Sequence, residues 1–202
     1  LSVYGENHSR VASVYNDIGE IYSVQGDDFK ALDYFKKSLK IVLSVYGENH
    51  SRVASVYNDI GEIYSVQGDD FKALDYFKKS LKIVLSVYGE NHSQVSSIYD
   101  HIGEVYFAQK DYSKALYYFE ESLKIRLSLF GENHPEVALS YYSIGSLYII
   151  QGDKSKALNY YEKSLKIRLS VYGENHPLTK EIMDLINVAA NSKVLQSPET
   201  TK

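Results

Sequence analysis

A stretch of 42 residues, LSVYGENHSRVASVYNDIGEIYSVQGDDFKALDYFKKSLKIV, runs from Leu1 to Val42 and recurs unchanged from Leu43 to Val84. It returns in diverged form over Leu85–Arg126 and Leu127–Arg168, and a fifth copy starting at Leu169 loses the pattern after Pro177. This period constrains the fold more than the overall length does. Each copy must be one supersecondary unit that cannot bury its apolar surface alone and finishes the job on its neighbours. The chain is therefore expected to be an array of stacked units.

Within the first copy, Gly5-Glu6-Asn7-His8-Ser9 is turn-like, with small polar residues able to cap a following helix. Later copies place Pro135 and Pro177 after the histidine, at a first helical position that needs no amide donor. Val11, Tyr15, Ile18 and Tyr22 then recur at three- and four-residue spacing, with Val14 and Ile21 beside them. That pattern predicts an amphipathic helix A ending near Gln25, with Gly26-Asp27 as the break. A helix B follows from about Asp28, its apolar set being Phe29, Leu32, Phe35, Leu39 and Val42 with Ala31, Ser38 and Ile41 alongside. Nothing stops it before Gly47. Its other face carries Lys30, Asp33, Lys36, Lys37 and Lys40 and reads as solvated, with Asp33 and Lys37 an i,i+4 pair. Gly19 and Ala31, with Gly61, Gly103, Gly145 and Ala73, Ala115, Ala157 at the same places, mark where paired helices approach closely.

Tyr15, Ile18, Gly19, Tyr22, Ala31, Phe35 and Ser38 stand at the spacing of the tetratricopeptide signature, and the match repeats in the next three copies. The chain resembles that family, in the longer variant typified by kinesin light chain, since the ordinary unit is about 34 residues. The resemblance implies an all-α fold: an α-solenoid of antiparallel helix pairs stacked into a right-handed superhelix, with a C-terminal capping helix. Repeats are expected at about 5–46, 47–88, 89–130 and 131–172, in one array over 1–190. Over about 177–190, Leu178, Ile182, Leu185, Ile186 and Ala189 form an apolar stripe opposite Lys180, Asp184, Asn187 and Asn191, as suits a cap. Residues 191–202 read as a tail, disordered at its end. Lys110 stands where the other units have the turn glycine. Leu1 to Tyr4 match the end of a unit, so the chain reads as a segment of a longer, recently duplicated or engineered array whose first helix A exposes apolar surface.

Chemistry is sparse. The chain has no cysteine, which excludes thiolate chemistry and disulfides and suits an intracellular, cytoplasmic setting. A net charge of −4 disfavours nucleic acid, and no apolar run approaches the roughly 18 residues of a membrane span. His8, His50, His92, His134 and His176 recur once per unit, too far apart to converge on a metal, and read as helix-start residues. No nucleophile–base pair or phosphate loop stands out, so neither a catalytic activity nor a cofactor is expected.

What remains is surface. In the resembled family, helix A side chains one or two positions from the core stripe line a concave groove. Carried over, these are Ser13, Asn16, Asp17, Glu20 and Ser23, then Ser55, Asn58, Asp59, Glu62 and Ser65. The third unit offers Ser97, Asp100, His101, Glu104 and Phe107, and the fourth Leu139, Tyr142, Ser143, Ser146 and Ile149. These positions are acidic over three units, apolar in the fourth, and hold no lysine or arginine. The expected partner is a protein or peptide with basic residues, anchored by an apolar group near Tyr142 and Ile149. The alternative is a structural spacer, or an array that self-associates through its first unit.

Overall fold

Each period folds into two helices because two punctuation marks recur in it. The computed structural model describes residues 9–191. Its elements are α1 (Ser9–Val24), α2 (Asp28–Tyr46), α3 (Ser51–Val66), α4 (Asp70–Tyr88), α5 (Ser93–Ala108), α6 (Tyr112–Phe130), α7 (Pro135–Ile150), α8 (Lys154–Tyr172) and α9 (Pro177–Asn191). The described residues are thus all-α, odd-numbered helices being the A type and even-numbered ones the B type. No helix among them is long and apolar enough to cross a membrane. Two compact units divide within α6, residues 1–125 and 126–202.

The B helices start on an aspartate. The side chain of Asp27 accepts from the Lys30 amide at 3.2 Å, and Asp69, Asp111 and Asp153 repeat the cap. The A helices start on the histidines. Nδ1 of His50 accepts from the Arg52 amide at 3.1 Å while its ring stacks on Tyr46, centroids 4.3 Å apart. His92 on Tyr88, His134 on Phe130 and His176 on Tyr172 do the same. The recurring histidine is a cap braced by the last aromatic residue of the preceding helix; His8 lies outside the described residues, as does the tail beyond Asn191.

The turn from A to B needs a left-handed residue. Gly26, Gly68 and Gly152 have φ between 74° and 80°, and Lys110 takes the same region at 61°. The hydrogen bonds of that turn are unchanged: Asp111 N–H donates to Tyr106 O at 2.9 Å, as Asp27 does to Tyr22. Lysine accepts the strain and the geometry persists.

Within each pair the helices meet glycine to ring. A Cβ on Gly61 would stand 2.7 Å from the Phe77 ring, and Gly19–Phe35, Gly103–Phe119 and Gly145–Tyr161 are alike. Ala31, Ala73, Ala115 and Ala157 are fully buried. A buried hydroxyl ties B back to A: Ser38 Oγ donates to Ala12 O at 2.9 Å, Ser80 to Ala54 and Ser164 to Ala138 at 2.8 Å. Tyr34 packs against both Tyr15 and Tyr22, at 5.9 and 5.6 Å, with Lys30 over Tyr22. This trio recurs in every pair and accounts for much of the tyrosine content.

The identical first two copies measure stacking directly. Val14 and Ile21 on α1 are 52% and 56% exposed, whereas Val56 and Ile63 on α3, the same residues one period later, are 4% and 3% exposed against the preceding pair. Each such burial contributes about 1–2 kcal/mol. Two expectations from spacing are corrected here. Phe29 is 83% exposed and Phe71 equally so, because they lie two residues, about 200°, around the helix from the buried alanine. In α9, Thr179 rather than Leu178 is buried, with Ile182 and Ala189 completing the stripe and Leu185 and Ile186 only half-buried.

Candidate functional site

In residues 1–125 the positions beside the core stripe form a ladder of side-chain contacts. On α1, Asn16 Nδ2 donates to Glu20 Oε1 at 2.9 Å, and Asn58 does the same to Glu62 on α3. The next helix reaches back to this pair. Asp59 is hydrogen-bonded to Asn16, and His101, at the corresponding place on α5, sets Nδ1 3.0 Å from Asn58 Oδ1 and Nε2 3.6 Å from Glu62 Oε1. The His101 ring also packs on Phe77 at 5.2 Å.

The electrostatics are those of carboxylates held near one another. Burial pushes the Asp59 carboxyl up to about 7; the Asn16 hydrogen bond opposes this, and Glu62 and Glu20 add to it. Glu62 is raised by burial and by Glu20 against the pull of Asn58. Glu104 is raised by burial, Asp100 and Glu62, with His101 acting the other way. A cation placed among these groups offsets the repulsion between their carboxylates.

Cavities open along this face among the described residues. The first, about 170 Å³, is lined by Ser13, Asn16, Asp17, Val42, Arg52 and Ser55 among others. The second, about 160 Å³, is its translate one period on, lined by Ser55, Asn58, Asp59, Val84, Gln94 and Ser97. The third, about 190 Å³, brings together Glu62, Ser65, Phe77, His101 and Glu104. Most of the expected residues of the first three repeats therefore share these walls. Glu20 is exposed and held by Asn16; Phe107 packs edge-on against Tyr112 at 5.9 Å.

The fourth repeat is built differently. Leu139 and Ile149 are exposed, but Tyr142 donates its hydroxyl to Glu181 Oε1 at 3.2 Å and lies 5.0 Å below the Arg168 guanidinium. Ser146 is 3.1 Å from the Tyr161 hydroxyl. Two of the expected groove residues are thus committed to internal contacts. Sequence reasoning missed Arg52 and Gln94 as cavity walls, and Arg126 and Arg168 altogether. The available signal was the change from valine at 42 and 84 to arginine at 126 and 168 within an otherwise apolar stripe.

A profile of the tetratricopeptide repeat matches residues 10–84, 52–128 and 94–170 in three overlapping registers. The chain belongs to the tetratricopeptide repeat family. Among solved structures, this tetratricopeptide array is similar to BtubC (BKLC) from P. vanneervenii, with 26% identity and a TM-score of 0.73 over 82% of this chain and 66% of that one. It spans just under two thirds of that protein. A putative kinesin light chain of nearly identical TPR-like repeats from Podosopora anserina aligns at 15% identity and a TM-score of 0.76, over 90% of this chain and 86% of that one. The apo form of RapI aligns at 17% identity and 0.74, over 88% and 62%. The last two likenesses concern the fold. A search of curated proteins gave no match. Tetratricopeptide repeats are generally protein-interaction scaffolds.

Proposed function

We propose that this protein is a non-catalytic scaffold whose A-helix face in residues 1–125 binds an extended or helical peptide carrying basic residues. The observation that carries the reading is the ladder of carboxylates Glu20, Asp59, Glu62 and Glu104 along α1, α3 and α5, set by the Asn16–Glu20, Asn16–Asp59 and Asn58–Glu62 hydrogen bonds, with Asp59, Glu62 and Glu104 each held above the ordinary carboxylate range by burial and by neighbouring carboxylates. A cationic ligand converts that unfavourable field into affinity and specificity. Selection of a random twelve-residue peptide library on the intact chain tests it. Enrichment of arginine and lysine supports the proposal; enrichment of acidic or purely apolar peptides defeats it.

A further inference from the structure

The cavity between α3, α4 and α5 has counterparts at the same register of later repeats. Two periods on, Val84 becomes Arg168, Asn58 becomes Tyr142, Gln94 becomes Leu178 and Ser97 becomes Glu181. In residues 126–202 this place is filled from within. Arg168 Nη1 donates to Leu178 O at 2.6 Å and stands 3.4 Å from Glu181 Oε2, and the guanidinium covers the Tyr142 ring. One period earlier, Arg126 meets Ser140 Oγ at 2.8 Å and Glu136 Oε2 at 2.9 Å. Glu136 corresponds to Gln94. The same framework thus holds a guanidinium twice in this chain.

In residues 1–125 a valine stands at that position and the space is open. Around it are the carboxylate of Asp59, the hydroxyls of Ser55 and Ser97, the amide of Asn58, and Gln94, whose Oε1 is buried without a hydrogen-bond partner. Acceptors outnumber donors on these walls. We infer that this cavity receives the guanidinium of a ligand arginine, supplying from outside the group that Arg168 supplies from within. The inference rests on, and deepens, the reading of this face as a surface for basic peptides. A guanidinium presents five donors in a plane, which suits acceptors spread around a slot better than a lysine ammonium does. The preceding cavity is not a second such site, because Arg52 already stands at the place of Gln94 on its wall.

The test is a titration of the intact ¹⁵N-labelled chain with N-acetyl-arginine amide, N-acetyl-lysine amide and N-acetyl-citrulline amide. The arginine probe is expected to move the amide signals of Asp59, Gln94 and Ser97, with the other two binding about tenfold more weakly, the scale of a lost charge-assisted hydrogen bond. Val84→Arg, which fills the cavity from inside, abolishes the response. Asp59→Asn, which keeps the shape, weakens it about tenfold. Equal, diffuse shifts from arginine and lysine along the whole acidic face overturn the inference. If selected peptides are basic and bind while Asp59, Gln94 and Ser97 stay unmoved, the arginine cavity falls and the basic-peptide reading stands. If arginine fills the cavity but selected peptides are acidic, the basic-peptide reading falls and takes the ligand named here with it.

Discussion

The hydroxyl of Tyr161 lies 3.1 Å from Oγ of Ser146, and the first three repeats hold phenylalanine and glutamate at these two places. The two changes belong together: a buried phenol needs a partner, and a small hydroxyl at 146 supplies it. Ser146→Ala is expected to destabilise the chain by about 1–2 kcal/mol, since it orphans a buried hydroxyl. Tyr161→Phe on that background should recover most of the loss. Urea melts of the four variants check it, and strictly additive effects would contradict the pairing.

Packing of the helix pairs is tight enough to count single carbons. Gly61→Ala forces a Cβ to 2.7 Å from the Phe77 ring, and Ala115→Leu adds a branched chain at a fully buried site. Each is expected to cost about 1–3 kcal/mol. Thermal melts unchanged by either substitution would show that the pairs approach elsewhere.

Lys110 sits at φ 61° in a turn whose hydrogen bonds match those of the glycine-bearing repeats. Lys110→Gly removes the strain at some loss of unfolded-state restriction, a net gain of about 0.5–1 kcal/mol. A lower melting temperature would contradict this.

Acidity should stabilise the first three repeats. The Asp59 carboxyl is raised to about 7 in the fold, with Asn16 and Glu20 on α1 and Glu62 on α3 acting on it; Glu62 and Glu104 are raised too. A carboxyl with a raised folded value binds its proton more tightly folded than unfolded. Its contribution is therefore greatest at low pH and is lost as pH climbs from about 4 through 7. The capping aspartates Asp27, Asp69, Asp111 and Asp153 are lowered by their lysines, so they lose stability only below that window. The melting temperature is expected to be roughly 3–6 °C higher at pH 5 than at pH 8, and Asp59→Asn should flatten the trend. The same slope in both proteins would contradict the assignment. Binding of a cationic peptide should run the other way and tighten as pH rises through 7.

The helix pairs were legible because each period carries its own start and stop signals: aspartate and histidine caps, glycine stops and small residues at close approach. Phe29 misled because a phenylalanine near an apolar run scores as core, although the angle from Ala31 turns it to solvent. The candidate face was legible as positions but not as chemistry. Asp17 and Asp59 are the same residue in identical copies, yet Asp17 is exposed and Asp59 is partly buried against the preceding pair. That difference comes from a neighbour, and a residue's own sequence context does not contain it. Arg126 and Arg168 stood out as a valine-to-arginine change, but their pairing was not legible, for a related reason. Their partners Ser140, Glu136, Leu178 and Glu181 stand ten to fourteen residues on, in the next helix.

The most direct measurement of the central claim is the binding of a fluorescein-labelled (Ala-Arg)₄ peptide to the intact chain and to its Glu20→Lys, Glu62→Lys, Glu104→Lys variant, by anisotropy at 150 mM salt. The wild-type chain is expected to bind and the variant to bind at least about tenfold more weakly at unchanged helicity. Equal affinity for the two would contradict a cationic ligand on this face.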